Sequence, residues 1–303
     1  MYQRAVHGTC AAQYRRRADV AGFQDGQLLV LIPSGAVLFL SHFLRAFRWR
    51  YLLDPFERVD VGSLFSALAI GYAANTFMPG HLGEFLRAYV LSRKRQIPMS
   101  RVFATIVVER LIDMFSLLSV FFLTLWLYPF PPWVIRSGHL MLAGTLGLLV
   151  FMLFLKRASA SACRTVGFIL RPFPRSVGQK VQEILGQFLT GIVLLKRWHD
   201  YVTTGLLSAA IWVCYCLVLH FALEAFGFVD LYQLRWSASL VVLVITSIAI
   251  VVPSSPGYIG TYHYLCQFSL ALFGVPAGPA LSFAAVAHGV STLPVLVVGL
   301  FCA

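Results

Sequence analysis

Glu84, Arg87, Glu109, Arg110, Asp113 and Glu224 all lie in surroundings that are otherwise apolar. A charge within a membrane costs at least about 2.5 kcal/mol on insertion scales, so such a group faces a partner or a wet cavity. Two kinds of chemistry fit these residue types. Carboxylates and guanidiniums can close on each other and lock helices together. Alternatively, Arg87 and Arg110 can hold an anion in forked, charge-assisted hydrogen bonds. The spacing serves both readings. Glu84 and Arg87 are three apart, Arg110 and Asp113 three apart, and Glu109 and Asp113 four apart, so on helices each pair shares a face. A bound cation fits poorly, because Arg110 stands between Glu109 and Asp113. With no H-x-x-x-H pair, no G-x-S-x-G and no P-loop Lys, no catalytic residue, metal site or cofactor is expected.

The stretch that carries Glu84 and Arg87 reads ANTFMPGHLGEFLRAY, residues 74–89. Pro79-Gly80 breaks the helical run before Gly83. Such a break is expected to bare backbone N–H groups from Leu82 onward, where the helix dipole favours an anion. Asn75, just before it, either bonds this freed backbone or binds polar substrate atoms. A second break, PSSPG at 253–257, brings Ser254, Ser255, Gly257, Tyr258, Tyr262 and His263. Tyr258 and Tyr262 read first as membrane-interface anchors. His263 and His288 read first as packing histidines, with proton coupling as the other role.

The elements that position these residues are greasy helices. The chain has 303 residues, 59% hydrophobic and 12% charged, about half the charge fraction of a soluble domain. Apolar runs near or above about 18 residues recur, which predicts a polytopic membrane protein. The runs do not alternate with period two, which argues against a β-barrel. The net charge of +12 comes without a nucleic-acid recognition module, so it is read as loops facing anionic head groups, and no nucleic-acid partner is expected. The six Cys lie mostly in apolar runs and indicate neither disulfides nor zinc.

Spans are expected at about 27–47, 101–128, 138–155, 203–226 and 280–301, after a polar, basic segment at 1–25. Arg45, Arg48 and Arg50 are read as marking the cytoplasmic end of the first span. The loop 156–197 holds eight Lys or Arg and one acidic residue. Within it, Val177, Val181, Ile184, Leu185, Phe188, Leu189 and Ile192 recur at helical spacing, opposite Gln179, Lys180, Gln182, Glu183 and Gln187. That pattern predicts an amphipathic helix on the membrane surface. The remaining runs, 62–78 with 82–92 and 237–252 with 258–273, are too short to cross singly and are read as two re-entrant units.

The two units resemble each other. MPGHLGEF (78–85) aligns with SPGYIGTY (255–262), Pro98 with Pro276, and Arg110 with His288, each 12 residues beyond its Pro. Loop charges give the units opposite orientations, the pattern of inverted-repeat transporters with the site where the breaks meet. The expected fold class is therefore all-α: a polytopic transmembrane bundle with two broken-helix units of inverted orientation.

NTFMPGHLGEFLRAY, IPMSRVFATIVVERLIDM, PSSPGYIGTYH and FGVPAGPALSFAAVAHGVSTLPVLVVGL, in this order, resemble the lysylphosphatidylglycerol synthase transmembrane region, a flippase-like integral membrane family, over about residues 38–302. The resemblance implies one transmembrane domain at 26–303 and lipid translocation as the activity class, acting on a phospholipid or a polyprenyl- or hopanoid-type lipid. Asn75, Gly80, Gly83, Glu84 and Arg87 match its first motif, Glu109, Arg110 and Asp113 its second, and Gly257 its third. His81 stands where Arg is common, and Tyr258 and His263 where Gly and Glu are. Members that make lysyl-lipid carry a soluble acyltransferase domain after the membrane part, and no such domain is expected between residue 1 and Ala303. The expected partner is a membrane lipid with an anionic or zwitterionic head group, in a bacterial inner membrane. The alternatives are an intramembrane transferase or its accessory subunit, and a secondary transporter of a small polar solute.

Overall fold

The structure, a computed structural model, describes residues 31–78, 80–159, 174–192, 197–251 and 255–303, with isolated positions between 165 and 170. The basic segment 1–25, Pro79, Ser254 and part of the loop 156–197 lie outside them. Every regular element among the described residues is helical. The helices are α1 (Leu31–Leu53), α2 (Val61–Phe77), α3 (Gly83–Arg95), α4 (Met99–Leu125), α5 (Pro132–Arg157) and α6 (Arg175–Gly191), then α7 (Trp198–Ala225), α8 (Phe228–Leu231), α9 (Trp236–Val251), α10 (Thr261–Ala271) and α11 (Ala277–Cys302). Of these, α5, α7 and α11 are long and apolar enough to cross a membrane, and α2 and most of α9 are shorter apolar helices.

Proline sets several starts, because its fixed φ and missing N–H suit a helix N-terminus. Pro98, Pro131, Pro174 and Pro276 each sit at the N-cap of α4, α5, α6 and α11. α2 is capped differently. The Asp60 carboxylate accepts from the Ser63 N–H at 2.8 Å and also pairs with Arg95 at the far end of α3. One carboxylate thus ties the start of α2 to the end of α3.

That tie closes an antiparallel hairpin of α2 on α3. The helices approach closely where both lack side chains: a Cβ on Gly71 would sit 2.9 Å from the Arg87 Cβ, and one on Gly83 would strike the Gly71 carbonyl and lie 2.8 Å from the Asn75 side-chain carbon. Gly83→Ala is therefore expected to destabilise the protein by about 1–3 kcal/mol, the usual cost of overpacking. The check is the unfolding midpoint in detergent. Gly205→Ala, inside α7 where an added Cβ meets nothing within 4 Å, should not lower that midpoint and gains up to about 1 kcal/mol from helix propensity.

α9 and α10 form a second hairpin, with Ala238 and Val242 in one cluster with Cys266 and Leu270. The first hairpin opens where α1 ends and α4 begins, with Leu52, Leu53, Val59, Leu91, Ile97 and Val102 in one cluster. The second opens past the far end of α4, where the Tyr128 hydroxyl donates to the Leu272 carbonyl at 3.3 Å and Phe121 and Phe130 pack with Val241. The hairpins thus enter the bundle from opposite ends.

Their tips match at two aligned pairs and differ at a third, where Gly260 has φ 90° and its counterpart Gly83 begins α3. Gly80 and His81 have φ of 67° and 60°, and Gly257 and Tyr258 have φ of 60° and 58°. Both return helices are also followed by a left-handed residue two before the next proline, Gln96 (φ 55°) and Gly274 (φ 79°). Left-handed backbone is uncommon for a bulky residue such as His or Tyr. Its recurrence at aligned positions supports the sequence repeat at the level of backbone conformation.

Candidate functional site

The tips of the two hairpins meet. A Cβ on Gly257 would sit a tight 3.2 Å from the Thr76 carbonyl, and its φ of 60° also favours glycine, so the second tip comes close to the end of α2. The Tyr258 hydroxyl and His81 Nδ1, at aligned positions of the repeat, share a hydrogen bond of 3.1 Å. Contact between equivalent residues is what a pseudo-twofold axis through the tips produces. Asn75, Met78, Gly80, His81, Ser255 and Tyr258 line a small cleft there.

Beside the cleft lies a buried charge cluster built by α1, α3 and α4. Arg45 reaches Asp113 Oδ2 at 2.6 Å and Glu109 Oε1 at 3.3 Å, and donates to the hydroxyls of Tyr215 (2.7 Å) and Tyr72 (2.9 Å). Arg48 takes the other Asp113 oxygen at 2.6 Å, lies 3.5 Å from Glu109, and donates to Ser208 Oγ at 2.9 Å. Arg87 bonds Glu109 Oε2 at 2.7 Å, with its guanidinium carbon 3.6 Å from the Trp49 ring centroid. Trp49 is itself fixed by an indole N–H bond to Thr105 Oγ1 at 3.0 Å. Arg110 pairs with Glu84, the residue after Gly83, whose N–H bonds the cleft residue Asn75.

Sequence spacing finds part of this cluster. Glu84 and Arg87 do share a face, at 3.7 Å, and Glu109 and Asp113 do act together, as joint acceptors for Arg45 and Arg48. The Arg110–Asp113 pair is long, at 3.9 Å, and Glu84 is the closer partner of Arg110. Arg45 and Arg48 correct the sequence reading. They are buried and bind carboxylates, a role that reading them as loop-end charges does not include. Their own spacing of three, which puts them on one face of α1, is the signal that finds them.

The helix start after Gly80 is also corrected. Its N–H groups are taken: Gly83 donates to the Asn75 side-chain oxygen at 2.8 Å, Glu84 to the His81 carbonyl and Phe85 to the Leu82 carbonyl. Asn75 thus bonds the backbone at the break, the first of its two expected roles. An anion has no bare row of donors here.

The remaining residues behave as packing or turn groups. Ser255 Oγ donates to the Ile259 carbonyl within the turn. His263 Nδ1 accepts from the Gly260 N–H at 3.3 Å, and His263 and His288 lie 5.1 Å apart, ring to ring, with Tyr262 against His288. Tyr262 is buried in the core of the second hairpin and is no interface anchor. Glu224, expected in apolar surroundings, has a side chain 43% exposed and lies 3.4 Å from His220.

Counted over the described residues, the cluster holds four guanidiniums (Arg45, Arg48, Arg87, Arg110) and three carboxylates (Glu84, Glu109, Asp113). One positive charge is in excess. Arg45, Arg48 and Arg87 have side chains 6% exposed or less, whereas that of Arg110 is 33% exposed. The group through which an outside anion can meet the surplus charge is therefore Arg110.

Comparison with known proteins supports an integral membrane protein. The sequence model of the family described as lysylphosphatidylglycerol synthase TM region matches residues 20–299. Glycosyltransferase AglD of Haloferax volcanii is 26% identical, over 89% of this chain and 48% of its own length. The chain thus spans about half the length of this curated relative. No solved structure matches.

Proposed function

We propose that this chain, which belongs to the lysylphosphatidylglycerol synthase transmembrane-region family, carries a phosphate-bearing lipid across the membrane, in bacteria the inner membrane. The observation that carries this reading is the surplus positive charge of the buried cluster, least buried at Arg110 on α4. The head group enters at the cleft, which is small here and widens to admit it, its phosphate takes two N–H bonds from Arg110, and the tails stay in lipid. Glu84 holds Arg110 in the absence of lipid and yields to the phosphate. The deeper charges, Asp113 and Glu109 with Arg45, Arg48 and Arg87, lock the helices around the site.

The hairpins fit a re-entrant placement. At 1.5 Å per residue, α2 and α3 reach only about 25 and 20 Å, short of the about 30 Å hydrocarbon core. Opposed hairpins whose tips meet are the arrangement by which inverted repeats place a site near the bilayer midplane.

The name of the archaeal relative, a glycosyltransferase, favours a second reading, in which the bundle serves a group transfer on a membrane lipid. Mass spectrometry of lipids retained by the purified protein separates the two. The first reading expects a phosphate-bearing lipid on the wild type, unchanged in mass after incubation and lost from Arg110→Gln. A retained lipid whose mass shifts when a sugar donor is supplied supports the second. Retention only of lipids without phosphate contradicts the first.

A further inference from the structure

The apolar stripe of α6 is continuous in sequence but only half covered by protein. At its C-terminal end, Leu189 and Ile192 are buried with Met152, and Leu185 and Phe188 pack beside them against α4 and α5. The docking is tight. A Cβ on Gly191 would sit 2.7 Å from the Ala104 Cβ, Ser100 donates to Gln187 at 2.8 Å, and Lys156 Nζ donates to the Ile192 carbonyl at 2.5 Å. At the N-terminal end the same stripe continues as Val177, Val181 and Ile184, which are 43%, 36% and 47% exposed. Gln179, Lys180 and Glu183 lie exposed on the other side of the helix.

Charge decides what covers the open half. Residues 156–197 carry eight Lys or Arg against the single Glu183. The helix itself carries Arg175 and Lys180 against Glu183, and an exposed aliphatic edge set in a basic loop sequence matches a surface that is apolar below and anionic above. The docked end fixes the height. Residues 187–192 sit against Ser100, Arg101 and Ala104 at the start of α4 and Lys156 at the end of α5, at one end of the bundle. The open stripe therefore lies at the level of the head groups, where an amphipathic helix rests in the plane of the leaflet.

We infer that α6 is an anionic-lipid contact, seated in the leaflet through Val177, Val181 and Ile184 and clamped to α4 through Phe188 and Gly191. It also bears on the candidate site. Phe188 lies 6.5 Å from Phe103, ring to ring, and Phe103 stacks at 4.4 Å on Phe85, the residue after Glu84. Lipid held by α6 thus braces the hairpin that carries Glu84 and Arg87. The contact stands on α6 alone and does not depend on what the cleft transports.

Photo-crosslinking tests it on the full chain in nanodiscs of zwitterionic lipid containing a minority of phosphatidylglycerol. Benzoylphenylalanine in place of Val181 or Ile184 is expected to give lipid adducts, with phosphatidylglycerol enriched about fivefold over its share of the bilayer, the gain expected of one basic contact. In place of Gln179 it should give none. Lipid adducts without anionic enrichment, equal adducts from 179 and 181, or a crosslink from 181 to a second copy of the chain would each overturn the inference. A readout by adduct mass needs no transport activity, so it holds even for a variant that moves no lipid.

Discussion

Asp113→Asn is expected to lower stability by about 3–5 kcal/mol, the loss typical when one partner of a buried ion pair is removed. Asp113 gives one oxygen to Arg45 and the other to Arg48, each at 2.6 Å, and the guanidiniums of both are almost fully buried. The amide keeps the shape but not the charge, so two cations lose their nearest counter-ion and the cluster moves from one surplus positive charge to two. Little else can compensate, since Glu109 already serves Arg45, Arg48 and Arg87. The measurement is the unfolding midpoint of the purified protein in detergent. An unchanged midpoint would mean that these pairs do not lock α1 to α4.

Arg110→Gln is expected to show the opposite profile: lipid movement reduced at least about 100-fold, with stability changed by less than about 1 kcal/mol. The first figure is the loss of a desolvated charge-assisted contact to phosphate. The second follows because the Arg110 side chain is 33% exposed and its removal leaves three guanidiniums against three carboxylates, so the buried Glu84 is not left without a counter-ion. Glu84 keeps Arg87 within 3.7 Å. Arg110→Lys should recover part of the rate, because a point charge replaces the fork. Arg87→Gln provides the contrast. Its side chain is 1% exposed, bonds Glu109 and lies over Trp49, so its replacement should cost stability. If Arg110→Gln unfolds as readily as Asp113→Asn while folded molecules still move lipid, Arg110 belongs to the lock and not to the site.

These two variants separate the locking and binding readings that the sequence leaves open. The breaks, the repeat and the carboxylates were legible because each violates what a plain membrane helix allows. Glycine and proline interrupt it, and Glu84, Glu109 and Asp113 are costly within it. Arg45 and Arg48 were hidden because a second physical rule, positive charge at cytoplasmic helix ends, explains arginines at a span's end equally well. Tyr72, Tyr215 and Ser208, which complete the shell of Arg45 and Arg48, have ordinary positions in apolar helices and become visible only when α1, α2 and α7 are packed together. The helix start after Gly80 looked open because sequence does not show that Asn75, eight residues earlier, folds back onto the Gly83 N–H. The amphipathic pattern of α6 was plain, but how much of its stripe the protein itself covers depends on α4 and α5.

The central claim is that the meeting point of the hairpin tips serves a lipid phosphate. Its most direct test is transbilayer movement of labelled lipids in vesicles reconstituted with the wild-type protein. The account predicts that a phosphate-bearing lipid changes leaflet faster than in protein-free vesicles, while a neutral glycolipid with the same tails moves at the protein-free rate. Movement of neither lipid above that rate, or of both alike, would contradict it.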